Sequence, residues 1–446
     1  MLAWGAFTIG LVPLASRPVL RLAANAFDQL QMGALIGSFV VVMVLFIVPI
    51  TLLGTASPFA IRLAIQDASK AGSISGRIYA VSTLGSFIGT FLPGLLLVPT
   101  IGTYRTFLAI SALMLLVALG LLWRVSGWKA AAALAWMPLV IAILAVIGVQ
   151  GFDKSTPGLV YETESSYNYI QVLQEGEFRY LRLNEGQGIH SIYHPTQLLY
   201  AGPWEQVLAP PYFNPAPVAP AGLRSLAIVG LAAGTTARQA SVAYPAASID
   251  GYEIDPKIVE VGRKYFGMDL PNLNVIVQDA RYGLAHSPRH YQVISIDAYR
   301  PPYIPWHLTT REFFIEVRDH LTPDGVVTIN VGRAPNDRRL IEAISATLLS
   351  VFPNVYVVDL PGTFNSIIYA TAQPSDPANL DANLVSLTQR GGVSPLILYP
   401  LQVVLENLQP APQGGEVFTD DRAPIEWITN NMVIRFLLSG QSEVLQ

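Results

Sequence analysis

The chain has 446 residues, of which 52% are hydrophobic and only 13% charged, with a net charge of −4 and no cysteine. A charged fraction so far below the roughly 25% of an average soluble protein implies that part of the chain is built for an apolar medium. The lack of cysteine excludes disulfides, zinc–thiolate sites, iron–sulfur clusters and a cysteine nucleophile, and the small net charge offers no broad basic field for nucleic acid.

The apolar bias is concentrated in residues 1–150. A helix needs about 20 apolar residues to span a bilayer. Residues 33–53, 78–99, 106–123 and 130–149 meet this without a single charge, and residues 2–22 are a weaker candidate interrupted by Pro13, Arg17 and Arg21. Four charge-free stretches so close together argue for a multi-pass membrane domain rather than buried helices of a soluble core. The opening residues lack the basic stretch and the small-residue cleavage site of a signal peptide. A chain that starts inside an apolar segment is consistent with a shortened form of a longer protein. Arg62, Lys70 and Arg77, with Asp67 as the one acid, mark the loop between the first two crossings as cytoplasmic, and Arg124 with Lys129 agree.

Residues 151–222 read as a small antiparallel β region, with strands at 159–160, 169–173 and 180–183 and turns at Glu175-Gly176 and Asn184-Glu185-Gly186. The Pro-rich stretch 210–220 reads as a connector. From residue 223 strands and helices alternate. Strands are expected at 225–229, 248–253, 274–277, 293–297, 326–330, 355–359 and 366–370, and helices at 235–242, 256–266, 310–321 and 337–351. Such alternation implies a mostly parallel sheet covered on both faces. The expected architecture is therefore an α-helical transmembrane domain (1–150), a small β-sheet with its connector (151–222), and an α/β Rossmann-like domain of the class I methyltransferase kind (223–446).

Ligands bind such sheets at the C-terminal strand ends. The first strand runs into Gly230-Leu231-Ala232-Ala233-Gly234-Thr235, a tight turn that opens a helix with free N–H groups. Glu253 ends the next strand about 20 residues later, where a carboxylate can accept from both ribose hydroxyls; Asp255 and Pro256 then start a helix. The third strand ends at Gln278-Asp279-Ala280-Arg281, where the carboxylate suits the exocyclic amine of adenine and the adjacent N–H a ring nitrogen. The fourth ends at Asp297. Gly230, Glu253, Asp279 and Asp297 should thus converge on one edge of the sheet as a cradle for an S-adenosyl nucleotide.

The order of glycine turn, Tyr252-Glu253-Ile254-Asp255-Pro256, Gln278-Asp279-Ala280-Arg281 and strand-terminal Asp297 resembles the spermidine synthase (aminopropyltransferase) family. More closely it resembles bacterial membrane proteins that fuse a transporter-like hydrophobic region to a spermidine synthase-like domain. That resemblance rests also on Ser57-Pro58-Phe59, Gly76-Arg77-Ile78-Tyr79, Leu183-Asn184-Glu185-Gly186-Gln187, Ile304-Pro305-Trp306-His307 and Thr419-Asp420-Asp421-Arg422. It implies a multi-pass protein of a bacterial inner membrane that uses decarboxylated S-adenosylmethionine, or S-adenosylmethionine, as substrate without a metal. It further implies Glu253 on the ribose, Asp279 on the adenine, Asp297 as the base that takes a proton from the attacking amine, and Gln187 and Tyr193 lining the pocket.

The sequence departs from that family on the amine side. Arg300 stands where a second acid would grip the polyamine, Ile189 and His190 replace an Asp-Glu pair ahead of Tyr193, and Asn168 replaces a glutamine. Loss of acids and gain of an arginine would repel a diamine, leaving a different acceptor, or none. His190 and His194, like His286 and His290, are four residues apart without a third ligand, so no metal is expected. Pro301-Pro302-Tyr303-Ile304-Pro305 should form a stiff loop over the site, with Tyr303 and Trp306 against the ligand or within the lid, and Asp420 reads equally as returning to the site or as a structural turn.

Three readings stay open: aminopropyl transfer to an amine acceptor, a transporter or sensor with a non-catalytic nucleoside-binding domain, and a methyltransferase in which Arg281 or Arg300 pairs with the methionine carboxylate. The lipid bilayer is the expected macromolecular partner, nucleic acid is not one, and a homodimer stays open. By the crossing count the nucleotide-binding half falls outside the cell, against the cytoplasmic supply of S-adenosyl nucleotides, and this too stays open.

Overall fold

The computed structural model describes residues 1–30, 34–147, 156–184, 188–299, 303–334 and 336–438. The chain divides into two compact units, Met1–Thr156 with Glu164–Tyr167 and Pro157–Thr163 with Asn168–Gln446. Of the residues singled out above, Glu185, Gly186, Gln187, Arg300, Pro301 and Pro302 lie outside the described residues.

The first unit is helical: α1 Leu2–Leu30, α2 Ala34–Gly54, α3 Ala56–Ala64, α4 Ala71–Leu92, α5 Val98–Ser126, α6 Trp128–Ala132 and α7 Trp136–Ile147. Among the described residues three helical segments are long and apolar enough to cross a membrane: Phe39–Ala64, Ala68–Ser126 and Trp128–Ile147. The separate stretches expected at 78–99 and 106–123 both fall in the second of these, which is 59 residues long. Gly102 breaks it, with φ 80° and ψ 164°, a conformation that glycine adopts without steric cost. The candidate at 2–22 is reduced to a shorter apolar stretch, Leu2–Ser16. Within this unit α1 approaches α5 closely, with Ser111 Oγ donating to the Ala6 carbonyl at 2.7 Å. A Cβ on Gly10 would stand 2.5 Å from Ser111 Oγ. Small residues at such crossings let helix backbones pack together where no hydrophobic drive separates helix from solvent.

The second unit opens with a four-stranded sheet of β1 Leu159–Glu164, β2 Tyr169–Glu175, β3 Phe178–Leu183 and β4 Ile189–Tyr193, in that spatial order. The fourth strand was not expected, because His190 and Ser191 interrupt the apolar alternation of Ile189, Ile192 and Tyr193. The main sheet contains β5 Ser225–Val229, β6 Ser248–Glu253, β7 Leu273–Val277, β8 Tyr291–Ile296, β9 Leu321–Gly332, β10 Asn354–Asp359, β11 Asn365–Thr371 and β12 Leu408–Pro410. Their order is β12-β10-β11-β9-β8-β5-β6-β7. Strands β5 to β9 pair in parallel, and β11 lies antiparallel between β9 and β10. This is the Rossmann-like arrangement of class I methyltransferases.

Along β5, Leu226 and Ile228 face one apolar layer while Ala227 and Val229 face the other. Alternate side chains point to opposite faces of a strand, so a strand buried on both sides must be apolar throughout. The first layer is closed by α8 Thr235–Ala243, α9 Pro256–Tyr265, α13 Ala378–Arg390 and α14 Pro395–Asn407, which contribute Ala237, Val259, Leu380 and Leu401. The second is closed by α10 Ala280–Ala285, α11 Arg311–Asp319, α12 Arg339–Leu349 and α15 Ile425–Leu438, which contribute Leu284, Phe313, Ile344 and Ile425. The Pro-rich stretch at 210–220 is not a free connector. Pro210–Phe213 form a 3-10 turn with all four residues buried, and Asn383 holds it by donating to the Tyr212 and Asn214 carbonyls at 3.1 and 2.9 Å.

Candidate active site

The chain moves outward from β5 to β6 and β7, then crosses back to place β8 on the other side of β5. Such a reversal opens a crevice at the C-terminal strand ends. The tips in spatial order are Asp279 after β7, Glu253 on β6, Gly230 after β5, Asp297 after β8 and Asn330 on β9. The four tips expected from the sequence therefore occupy consecutive strands, with a fifth, Asn330, beside them.

Gly230 sits at φ +91°, and a Cβ there would lie 2.7 Å from the Asp297 carbonyl carbon. The glycine is thus required by the approach of the Asp297 backbone, whose N–H donates to the Val229 carbonyl at 2.8 Å. Gly234 caps α8 at φ +88°, where a Cβ would meet the Met268 side chain at 2.6 Å. Three amides of the turn before α8 are taken: Ala232 N–H donates to Glu253 Oε2 at 2.9 Å, Ala233 N–H to Ser191 Oγ at 3.0 Å and Gly234 N–H to the Leu231 carbonyl at 3.0 Å. The turn is a rigid wall that orients Glu253.

Glu253 is only 7% exposed. Its Oε1 accepts from the Asp255 N–H at 3.0 Å. Burial dominates and pushes its carboxyl up to about 7. Asp255 caps α9 as expected, accepting from the Lys257 N–H at 2.9 Å, and also accepts from Asn168 Nδ2 at 3.0 Å. Asp279 caps α10 through the Tyr282 N–H at 3.0 Å, and Ala280 is the first residue of that helix. The second oxygen of Asp279 is 3.0 Å from His307 Nε2. That contact, first among the causes, holds the carboxyl below its usual range.

Asp297 is part-buried and accepts from Asn330 Nδ2 at 2.9 Å through Oδ1. Burial pushes its carboxyl up to about 6, against the lowering effect of Asn330. The Tyr299 hydroxyl donates to the Asn330 carbonyl at 3.0 Å and accepts from the Gly332 N–H at 2.7 Å, tying the loop after Asp297 to the end of β9.

Other expected residues have protein partners. The Arg238 guanidinium lies over the Tyr193 ring, 4.3 Å from its centroid, and that of Arg179 is 5.5 Å from it. The ring also crowds Gly267, where a Cβ would be 3.0 Å away. The Tyr303 hydroxyl donates to Asn430 of α15 at 2.6 Å, while Trp306 is 43% exposed. Arg281 does not stand open to a substrate carboxylate. It pairs with Glu316 and with Asp420, both at 2.8 Å, and donates to the His307 carbonyl at 3.1 Å. Asp420 is thus held by Arg281, two residues beyond Asp279, from a turn in which Thr419 and Arg422 exchange backbone hydrogen bonds. Burial pushes His190 down to about 4, so its ring is neutral. His194 Nδ1 accepts from the Gln197 N–H at 2.9 Å. Among the described residues no group of three or more His, Cys, Asp or Glu is placed to hold a metal.

Asn330 and Tyr299 went unassigned in the sequence, although Asn330 ends a strand as the three acids do. His307 was part of a quoted motif without a role, and its link to Asp279 has no short-range signal.

Residues 217–381 match the spermine/spermidine synthase domain. This part of the chain belongs to that family. A probable polyamine aminopropyl transferase of Bifidobacterium longum is 33% identical over 303 residues, covering 65% of this chain and 66% of that protein. The polyamine aminopropyltransferase of Vibrio vulnificus is 27% identical over 278 residues, covering 60% and 88%. The mouse eEF1A lysine and N-terminal methyltransferase is 29% identical over 161 residues, covering 34% of this chain and 23% of its own length. The chain thus spans just under two thirds of the Bifidobacterium relative and a quarter or less of the mouse one. The spermidine synthase domain holds all four strand-tip residues, Gly230, Glu253, Asp279 and Asp297.

Proposed function

We propose that this chain is a membrane-anchored aminopropyltransferase that carries the aminopropyl group of decarboxylated S-adenosylmethionine to a primary amine. The reading is carried by the run of tips Asp279, Glu253, Gly230 and Asp297 along adjacent strands of a spermidine synthase domain. Glu253 receives the ribose hydroxyls, Asp279 and the Ala280 N–H receive the adenine edge, and Asp297 faces the attacking nitrogen. The amine nitrogen forms a bond to the carbon beside the sulfonium. That carbon's bond to sulfur breaks, and sulfur leaves with the electron pair as the neutral thioether of 5′-methylthioadenosine. The amine's proton passes to Asp297, a carboxylate placed as general base. Gln187 is carried in this proposal on the nucleotide side, and Tyr193, Tyr303 and Arg300 on the acceptor side. The apolar helical segments of the first unit are proposed to anchor the protein in a bilayer.

Methyl transfer from S-adenosylmethionine is the second reading, favoured by the shorter match to a methyltransferase. It is weakened by the engagement of Arg281 with Glu316 and Asp420, which leaves that guanidinium spent. Incubation of the full-length chain in detergent with each nucleotide and a panel of primary amines separates them. Release of 5′-methylthioadenosine with an aminopropylated amine supports the proposal. Release of S-adenosylhomocysteine moves the assignment to methyl transfer, and binding of neither nucleotide removes both.

A further inference from the structure

The sheet order decides from which side a second substrate reaches Asp297. Gly230, Glu253 and Asp279 all lie on one side of it, on β5, β6 and β7, and β9 lies on the other. With a nucleoside across the first three strands, the amine must approach from the β9 side. The residue there is Asn330, only 8% exposed.

Asn330 Nδ2 donates to Asp297 Oδ1 at 2.9 Å. The amide cannot be reversed, because two acceptor oxygens would then face each other. Its own Oδ1 makes no bond to Asp297, and it is buried with no hydrogen-bond partner among the described residues. The neighbouring Tyr299 hydroxyl cannot supply a donor, since its hydrogen is given to the Asn330 carbonyl. Buried acceptors are almost always paired, so an unpaired one beside a carboxylate calls for a donor from outside the chain, an ordered water or a ligand that replaces it.

We propose that Asn330 holds the acceptor amine: its Oδ1 receives one N–H of the attacking nitrogen, while its NH2 fixes Asp297 Oδ1 so that Oδ2 meets the same nitrogen. This rests on the aminopropyl-transfer reading and deepens it. A primary ammonium brings three N–H bonds. One goes to Asn330 Oδ1 and one to Asp297 Oδ2, and loss of the latter proton frees the lone pair for the carbon beside sulfur. Asn330 takes part in no bond change and acts through orientation. It supplies a neutral acceptor for the amine.

The test is calorimetric titration of the full-length chain in detergent, loaded with 5′-methylthioadenosine, using a panel of primary amines from methylamine to spermidine. Asn330→Ala is expected to weaken the best-binding amine at least 10-fold while nucleoside affinity stays within twofold. Asn330→Asp keeps an oxygen at the same place, so amine binding should persist, while the pH at which turnover sets in rises because two carboxyls then share the site. It also serves as the second variant should Asn330→Ala fail to fold. Amine affinity unchanged in Asn330→Ala, or lost equally in Asn330→Asp, overturns the inference, as does the absence of any amine binding to the unmodified chain. Amine binding that depends on Asn330 without turnover would overturn the proposed reaction and leave this inference standing.

Discussion

Gly230 and Asp297 meet backbone to backbone: a Cβ on Gly230 would lie 2.7 Å from the Asp297 carbonyl carbon and 2.8 Å from Ala298 Cα. No rotamer change relieves a clash with main chain, and φ +91° adds about 1–2 kcal/mol for an L side chain. Gly230→Ala should therefore push β5 and β8 apart at the site. The expected outcome is a fall in apparent melting temperature with loss of nucleoside binding. A well-folded Gly230→Ala chain that binds nucleoside normally would show that this approach is not needed.

The parallel sheet and its tips were legible because each signal is local. A short apolar run followed by Gly230, Glu253 or Asp297 carries the strand and its end within a few residues, and six of the seven strands expected after residue 223 start within two residues of the positions found. The exception is β9, which begins at Leu321 and reaches back through Pro323 and Gly325, residues that locally read as a turn. What stayed hidden is tertiary. Nothing near residue 307 announces that His307 will reach Asp279, nor does anything near 420 announce Arg281. Nor does the glycine pattern announce that Glu253 and Ser191 arrive from other strands to take the Ala232 and Ala233 N–H groups. Helices α10 and α13 to α15 were missed as well. Each has an apolar face that pays off only against the finished sheet.

Glu253 makes stability depend on pH in a direction opposite to a salt-bridged acid. Its folded-state carboxyl is raised from 4.5 to about 7, mainly by burial. Between those two values the folded chain holds a proton that the unfolded chain has released, so stability falls as pH rises through this window. The full shift corresponds to something on the order of 3 kcal/mol. Glu253→Gln keeps the shape and removes the titration. Its apparent melting temperature should fall less than that of the unmodified chain between pH 5 and about 8. Parallel curves for the two proteins would mean that Glu253 does not titrate there.

Asp297 should separate binding from turnover. Under the proposed function Asp297→Asn leaves the nucleoside half untouched, so affinity for 5′-methylthioadenosine is expected to hold while kcat drops by roughly 10²–10⁴, the usual range for a lost general base. With the amine varied at saturating nucleotide, kcat/KM of the unmodified chain should rise with pH through about 6, where burial has placed the Asp297 carboxyl, and then level off. The base works only when ionised, which fixes that sign. Retained turnover in Asp297→Asn would remove Asp297 from the proton path.

Arg281 is the link that brings the C-terminal stretch around Asp420 to the candidate site. Its guanidinium meets Glu316 and Asp420 at 2.8 Å each, and Asp420 also accepts from Thr310 Oγ1 at 2.7 Å. Arg281→Ala removes charge-assisted bonds from two carboxylates, worth about 1–3 kcal/mol after allowance for the partial exposure of both acids. Hydrogen exchange in the 418–422 stretch should quicken more than exchange in the β5 and β6 strands. The same variant separates the two chemical readings. If Arg281 is spent on protein carboxylates, replacing it should weaken decarboxylated and intact S-adenosylmethionine by similar factors, through loosening of the Asp279–His307 side. Selective loss of the intact nucleotide would instead reveal a contact between Arg281 and the methionine carboxylate, and would favour methyl transfer.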